Sequence, residues 1–232
     1  MTFVEYGSRK LPVTLKTFLV ILKPSLLDTG PLTVIISVME ELLGFLNMIQ
    51  PMSAGLRDYL VSVLRFKAIE KKVHLLREGQ ICRYIYFIQR GLLRCYYVKD
   101  RNEICSWFMQ EGDVIVSVSS FFSQTASYEW IESLEDCELH YISFDELNYA
   151  YQHFPEFNYT GRVLLQKYYA LSEERLYSLR LQTAQQRFEY LMRMSPGLFA
   201  RVPAKDIASY LGMRAETISR LRKINGGRVV ND

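Results

Sequence analysis

The sequence predicts an α+β chain in which a β jelly roll is followed by one long helix and then by a small helical module. Three observations predict it. Between residues 67 and 144 the apolar residues lose helical spacing, and turn signals recur about every ten residues. From 156 to 180 a helical period runs unbroken, and 203–223 carries a compact helix-turn-helix pattern.

With 232 residues, 49% of them hydrophobic, the chain can bury one large core or two modest ones. Net charge is only +3, yet residues 201–232 hold seven basic residues (Arg201, Lys205, Arg214, Arg220, Arg222, Lys223, Arg228) against three acids (Asp206, Glu216, Asp232). Basic charge gathered on one module suits phosphate contact, because counterion release rewards only charges that reach a duplex. Cys82, Cys95, Cys105 and Cys137 have no CxxC spacing and sit in apolar runs. They read as small buried hydrophobes in a reducing, cytoplasmic setting. His74, His140 and His153 are single and scattered, so no metal site is expected.

The N-terminal stretch 17–22 is apolar, but Lys23, Pro24 and Pro31 interrupt it well short of a membrane span, and no signal-cleavage pattern follows. Residues 1–38 are expected to be an extra segment, a translated leader ahead of a start at Met39. The rival expectation is an apolar strand over 32–38 that covers the roll by edge pairing.

From Met39, Leu42, Leu43, Leu46 and Ile49, then Leu56, Leu60 and Leu64, recur at helical spacing. Pro51 stops the first helix and Ser53 can cap the second. Strands follow, punctuated at Glu78-Gly79, Arg90-Gly91, 99–102, Gly112-Asp113 and Glu135-Asp136. The runs 84–88 and 92–98 are expected to pair as a hairpin around Gly91. After a helix over 145–153, the 156–180 helix aligns Leu164, Tyr168, Leu171, Arg175 and Leu179 in one stripe. So narrow a stripe predicts a second helix, most simply that of a second copy. A helix over 184–194 buries Phe188, Leu191 and Met192 and ends at Pro196-Gly197.

In PAKDIASYLGMRAETISRLRK (203–223), Ala208 stands where two helices cross closely and Gly212 supplies a left-handed turn residue. Ile207, Leu211, Met213, Ile218 and Leu221 can meet in one small core. The second helix of such a motif enters the DNA major groove. Its outward face would then read bases with Arg214, Glu216 and Arg220: an arginine fits guanine O6 and N7, and a glutamate accepts from the cytosine amino group. Thr217, Ser219, Arg222 and Lys223 suit backbone phosphates.

This order of elements resembles the Crp/Fnr family of catabolite-activator-like regulators, over about residues 39–223. The segments that carry it are LLREGQICRYIYFIQRGLLRCYYV, WFMQEGD, FFSQTASYEWIESLEDCELHYIS and LRLQTAQQRFEYLM, with wording most similar to a Bacteroidetes-type branch. The resemblance implies a cyclic-nucleotide-binding-like jelly roll over 39–154, a dimerisation helix over 155–182 and a winged-helix-like DNA-binding domain over 183–232. It implies a homodimer on an inverted repeat of double-stranded DNA, contact with RNA polymerase, no membrane and no catalysis. Glu216 and Arg220 match the family's base-reading pair. Ala215 departs from it, because many relatives carry arginine there, and residues 225–232 are few for a two-stranded wing.

The family's effector cassette would begin at Gly112 and Asp113, but Ser117 stands where a ribose-binding glutamate belongs and Ser127 where a phosphate-binding arginine belongs. A phosphate without a cation and beside Glu129 would be poorly held. Cyclic AMP is therefore not the expected effector, and no cofactor is implied, because the clustered cysteines of iron-sulfur members are missing. The alternatives are a cyclic-nucleotide-responsive regulator and a cupin-like metalloenzyme. The latter lacks the histidine pair that its metal needs.

Overall fold

The computed structural model describes residues 31–226, with side chains described from 39 to 223. The expectations for residues 1–30 and for a wing after 226 lie outside the described residues. Helix α1 spans Pro31–Ile49, so the helix expected to start at Met39 opens one stretch earlier and 32–38 is helical, not a strand. Proline has a backbone angle already suited to a helix's first turn. Leu42, Leu43 and Leu46 of α1 are buried. Ser53 caps α2 (Ala54–Val63), its Oγ accepting the Leu56 N–H at 3.2 Å.

Two four-stranded antiparallel sheets face each other. One has the order β1 (Arg65–Ile69), β8 (Cys137–Ser143), β3 (Tyr84–Arg90), β6 (Val114–Ile115). The other has the order β2 (His74–Leu76), β7 (Trp130–Ser133), β4 (Leu93–Lys99), β5 (Asn102–Met109). Ile88, Leu93, Ile115, Phe121, Ile131 and Leu139 fill the space between them, each fully buried.

The expected hairpin around Gly91 does not form. β3 pairs with β8 and β6, while β4 pairs with β5 and β7. At Gly91 (φ +104°) the chain passes from one sheet to the other instead of reversing within one. The tight hairpin is β4–β5, with Lys99 opposite Asn102 and with Asp100 and Arg101 both at positive φ. That is a two-residue turn of the primed kind, which matches strand twist.

A short α3 (Val118–Ser123) bridges β6 and β7. Ser143 and Glu146 form a capping box at the start of α4 (Phe144–His153). The long α5 (Pro155–Leu181) leads to α6 (Ala184–Met194), α7 (Leu198–Arg201), α8 (Ala204–Tyr210) and α9 (Ala215–Gly226). Phe188, Leu191, Ile207, Leu211, Ile218 and Leu221 form a second core. Among the described residues no helix is long and apolar enough to cross a membrane.

The α5 stripe requires a correction. Leu164 packs on the first core and Tyr168 is held by its own chain, its hydroxyl accepting the Val114 N–H at 2.8 Å. Arg175 stacks 3.7 Å from the Tyr210 ring. The stripe thus packs on the protein's own β domain and, through Arg175 and Leu179, on its helix-turn-helix. Leu171 and Leu179 are at its exposed margin, and Leu165, Tyr169 and Leu176, with Tyr159, Tyr177 and Leu181, are left uncovered elsewhere on the helix.

Candidate nucleic-acid interface and effector cassette

The turn between α8 and α9 is built as its residues require. Gly212 has φ +62°, and a Cβ there would stand 3.3 Å from Leu179 Cδ2, so the long helix rests against the turn. The Met213 N–H donates to the Ala208 carbonyl at 2.9 Å, and Ala208 is itself buried in the second core. From α6, Arg187 donates to the Leu211 carbonyl at 2.7 Å, and to Gly212 at 3.3 Å, buttressing the turn. Ile207 and Ile218 lock the two helices together, both fully buried.

With that face buried, α9 presents its other face. Arg214 at its start, and Ala215, Glu216, Ser219, Arg220 and Lys223 on it, are all exposed. The charged groups among them take part in no ion pair within the described residues. Thr217 is half-buried beside them, and the Ser219 hydroxyl donates back to the Ala215 carbonyl at 3.2 Å.

Two of the basic residues counted toward this surface are used elsewhere. Arg222 folds inward, donating to the Phe199 carbonyl at 3.2 Å with its guanidinium 5.3 Å from the Phe199 ring. Its expected phosphate role is therefore corrected: it braces α9 from behind, because an apolar ring and a free carbonyl lie within its reach. Arg201 is bidentate to Glu111, at 2.8 and 2.9 Å, and is also paired with Glu135.

Sequence reading missed how this module is fastened to the roll. Arg94 of β4 is 5% exposed and meets Glu132 at 2.6 Å, Glu103 at 2.8 Å and Asp206 of α8 at 3.1 Å. Burial works against its charge, and Glu132 and Asp206 more than reverse that, raising its pKa. Ser209 of α8 accepts the Cys105 N–H at 2.9 Å and donates to the Glu103 carbonyl at 3.0 Å. The one local signal was an aspartate at 206, next to Ile207, which must be buried.

In the roll, Gly112 (φ +82°) makes the turn and Asp113 accepts the Gln110 N–H at 3.2 Å with Lys167 Nζ at 3.6 Å. Ser117 and Ser127 come together, 1% and 3% exposed, their hydroxyls 3.0 Å apart. Ser117 donates to one Glu129 carboxylate oxygen at 3.0 Å, Ser106 approaches the other at 3.5 Å, and the Glu129 N–H donates to Ser127 Oγ at 2.9 Å. Two hydroxyls and no cation meet this carboxylate, so burial pushes its pKa up against the weaker pull of Ser117 and Ser106.

A carboxyl raised in the folded state contributes stability that is whole below its unfolded pKa and lost as pH rises through the folded value. Glu129→Gln keeps the acceptor for Ser117 and removes the charge. It is expected to melt above the parent at pH 8, with the gap closing toward about pH 4. A melting temperature below the parent at both pH values would show that the carboxylate itself holds the loop.

Residues 66–154 match the cyclic nucleotide-binding domain family model, and the match includes this cassette. No curated protein sequence matches the chain. Among solved structures, FixK2 from Bradyrhizobium japonicum superposes with a TM-score of 0.63 at 20% identity, covering 72% of this chain and 86% of that one. The c-di-GMP responsive global regulator CLP of Xanthomonas campestris gives 0.61 at 18%, covering 76% and 93%. A transcriptional regulator of the crp/fnr family from Eubacterium rectale gives 0.60 at 16%, covering 76% and 85%.

The chain has the Crp/Fnr fold. The roll, the long helix and the helix-turn-helix follow one another in the order the sequence predicts.

Proposed function

We propose that the chain is a sequence-specific DNA-binding transcription regulator that acts as a homodimer on an inverted repeat. One observation carries the reading: the buried face of α9 completes a core while Arg214, Glu216, Arg220 and Lys223 share an exposed face without ion-pair partners. Arg214, Glu216 and Arg220 read base edges; Thr217, Ser219 and Lys223 hold the backbone. The three similar regulators support the same reading. Residues 39–154 are the sensor, 155–182 the dimer helix, and 183–232 the DNA-binding domain. Leu165, Tyr169 and Leu176 supply the dimer seam on α5, alongside Leu171 and Leu179, because all five are exposed apolar residues on one helix. RNA polymerase is the second protein partner, and the setting is cytoplasmic.

The experiment is a gel shift and footprint across the chain's own promoter region, in excess random competitor, on protein sized by light scattering. A dimer protecting two half-sites about one helical turn apart is expected; a monomer at micromolar concentration, or equal affinity for random DNA, overturns the reading. Arg220→Ala is expected to cost about 1–3 kcal/mol on the operator and relax one base pair per half-site, while Lys223→Ala weakens all sequences alike. The domain-family match favours a second reading, control by a cyclic nucleotide. Millimolar cyclic AMP is expected to leave the footprint unchanged, because Glu129 and two serines line the cassette; micromolar binding by calorimetry would establish the second reading.

A further inference from the structure

A separate cavity of about 590 Å³ opens between the two sheets beside β1 and β3, within the size range of small-molecule sites. Its polar lining is made of donors: Lys67, Arg83, Gln80 and the Tyr86 hydroxyl. No aspartate or glutamate lines it. Lys67 and Arg83 are exposed and take part in no ion pair among the described residues. Tyr86 is the more telling residue. It is 7% exposed, its ring packs 5.6 Å from Tyr141 and 6.3 Å from Tyr84, and its hydroxyl has no hydrogen bond among the described residues. The hydroxyl is not among the buried polar atoms left without a partner, so it opens on the cavity and is available to a ligand. Burial raises its pKa, which keeps it protonated and able to donate. Leu75, Leu76 and the Tyr84 ring complete an apolar side.

We propose that this cavity binds a small organic anion, with Lys67 and Arg83 gripping its oxyanion, Tyr86 donating to it, and Leu75, Leu76 and Tyr84 covering its apolar body. An inorganic oxyanion alone would leave most of the volume and the leucine wall unfilled. The cavity is distinct from the serine cassette: Gly112, Asp113, Ser117 and Ser127 do not line it. The two meet through the main chain, where the Ser127 N–H donates to the Gln80 carbonyl at 2.8 Å.

Two dyes of nearly equal shape test the proposal on the full chain: anionic anilinonaphthalene sulfonate and uncharged phenylnaphthylamine, each titrated by calorimetry and fluorescence. The sulfonate is expected to bind once per chain and the uncharged dye about tenfold more weakly, as loss of a charge-assisted bond implies. Lys67→Glu and Arg83→Glu should each weaken the sulfonate about tenfold and leave the uncharged dye unaffected, and Tyr86→Phe should weaken the sulfonate several-fold. Equal binding of the two dyes by the parent protein overturns the proposal, and so does unaltered sulfonate affinity in the folded charge-reversal variants. The dye comparison on the parent protein decides the matter even where a variant fails to fold. None of these readouts depends on DNA binding.

Discussion

Arg94→Met is expected to lower stability by about 3–5 kcal/mol, the range found when one partner of a buried ion cluster is removed. The side chain of Arg94 is 6% exposed, with Asp206 at 7% and Glu132 at 12%, so the variant strands two carboxylates away from water. It also removes the guanidinium lying 4.3 Å from the Tyr96 ring. Burial raises the Asp206 carboxyl and Arg94 opposes that rise. Without the arginine the carboxyl rises further, and the variant's deficit must shrink as pH falls and the stranded groups protonate. Urea unfolding at pH 7 and at about pH 4 measures both parts. The double variant Arg94→Met, Asp206→Asn should recover a share of the loss at pH 7. A single variant within about 1 kcal/mol of the parent would mean that the cluster contributes nothing net, and that Ser209, Arg175 and the apolar contacts hold the helical module to the roll.

Much of this architecture was legible in the sequence because its signals are local. The ten-residue turn rhythm, the unbroken period that became α5 and the spacing of Ile207, Leu211, Ile218 and Leu221 each report on neighbours a few residues away. The cassette was legible only through the family resemblance, which points from Gly112 to Ser117 and Ser127, and the fold brings those two hydroxyls together. What escaped is non-local. Residues 94 and 206 lie 112 apart in sequence, and nothing near either one announces the other. Arg201 and Arg222 read as part of a basic tail until their partners, Glu111 and the Phe199 carbonyl, are in view.

The α5 stripe has the same origin. A helix with apolar residues on two sides shows its period in the sequence but not which side its own domain takes. Tyr168 was claimed by the Val114 N–H and Leu164 by the first core, which leaves Leu165, Tyr169 and Leu176 outward. The segment 32–38 reads as an apolar strand on composition, yet it is the upstream half of a helix whose buried side runs through Leu42, Leu43 and Leu46.

Gly91→Ala is the second substitution expected to be costly, and it tests why the predicted hairpin failed. A glycine between two apolar runs reads as a turn, but whether the chain reverses or crosses to the other sheet depends on what lies over it. Here β8 lies over it: a Cβ at 91 would stand 2.5 Å from Cys137 Sγ, 2.7 Å from the Asp136 carbonyl oxygen and 2.9 Å from Cys137 Cα. The backbone angle of +104° adds strain that L residues rarely accept. Unfavourable φ costs about 1–2 kcal/mol and overpacking about 1–3 kcal/mol, so a loss of about 2–5 kcal/mol is expected by urea unfolding. Gly79→Ala supplies the control, since Gly79 has φ +83° with nothing within 4 Å of its Cβ position; it should show the strain without the clash. Adding Cys137→Ala to Gly91→Ala removes the sulfur but not the two main-chain contacts, so it should restore little. Full rescue by that double variant, or equal losses at 91 and 79, would mean that main-chain contact with β8 does not force the crossing at Gly91.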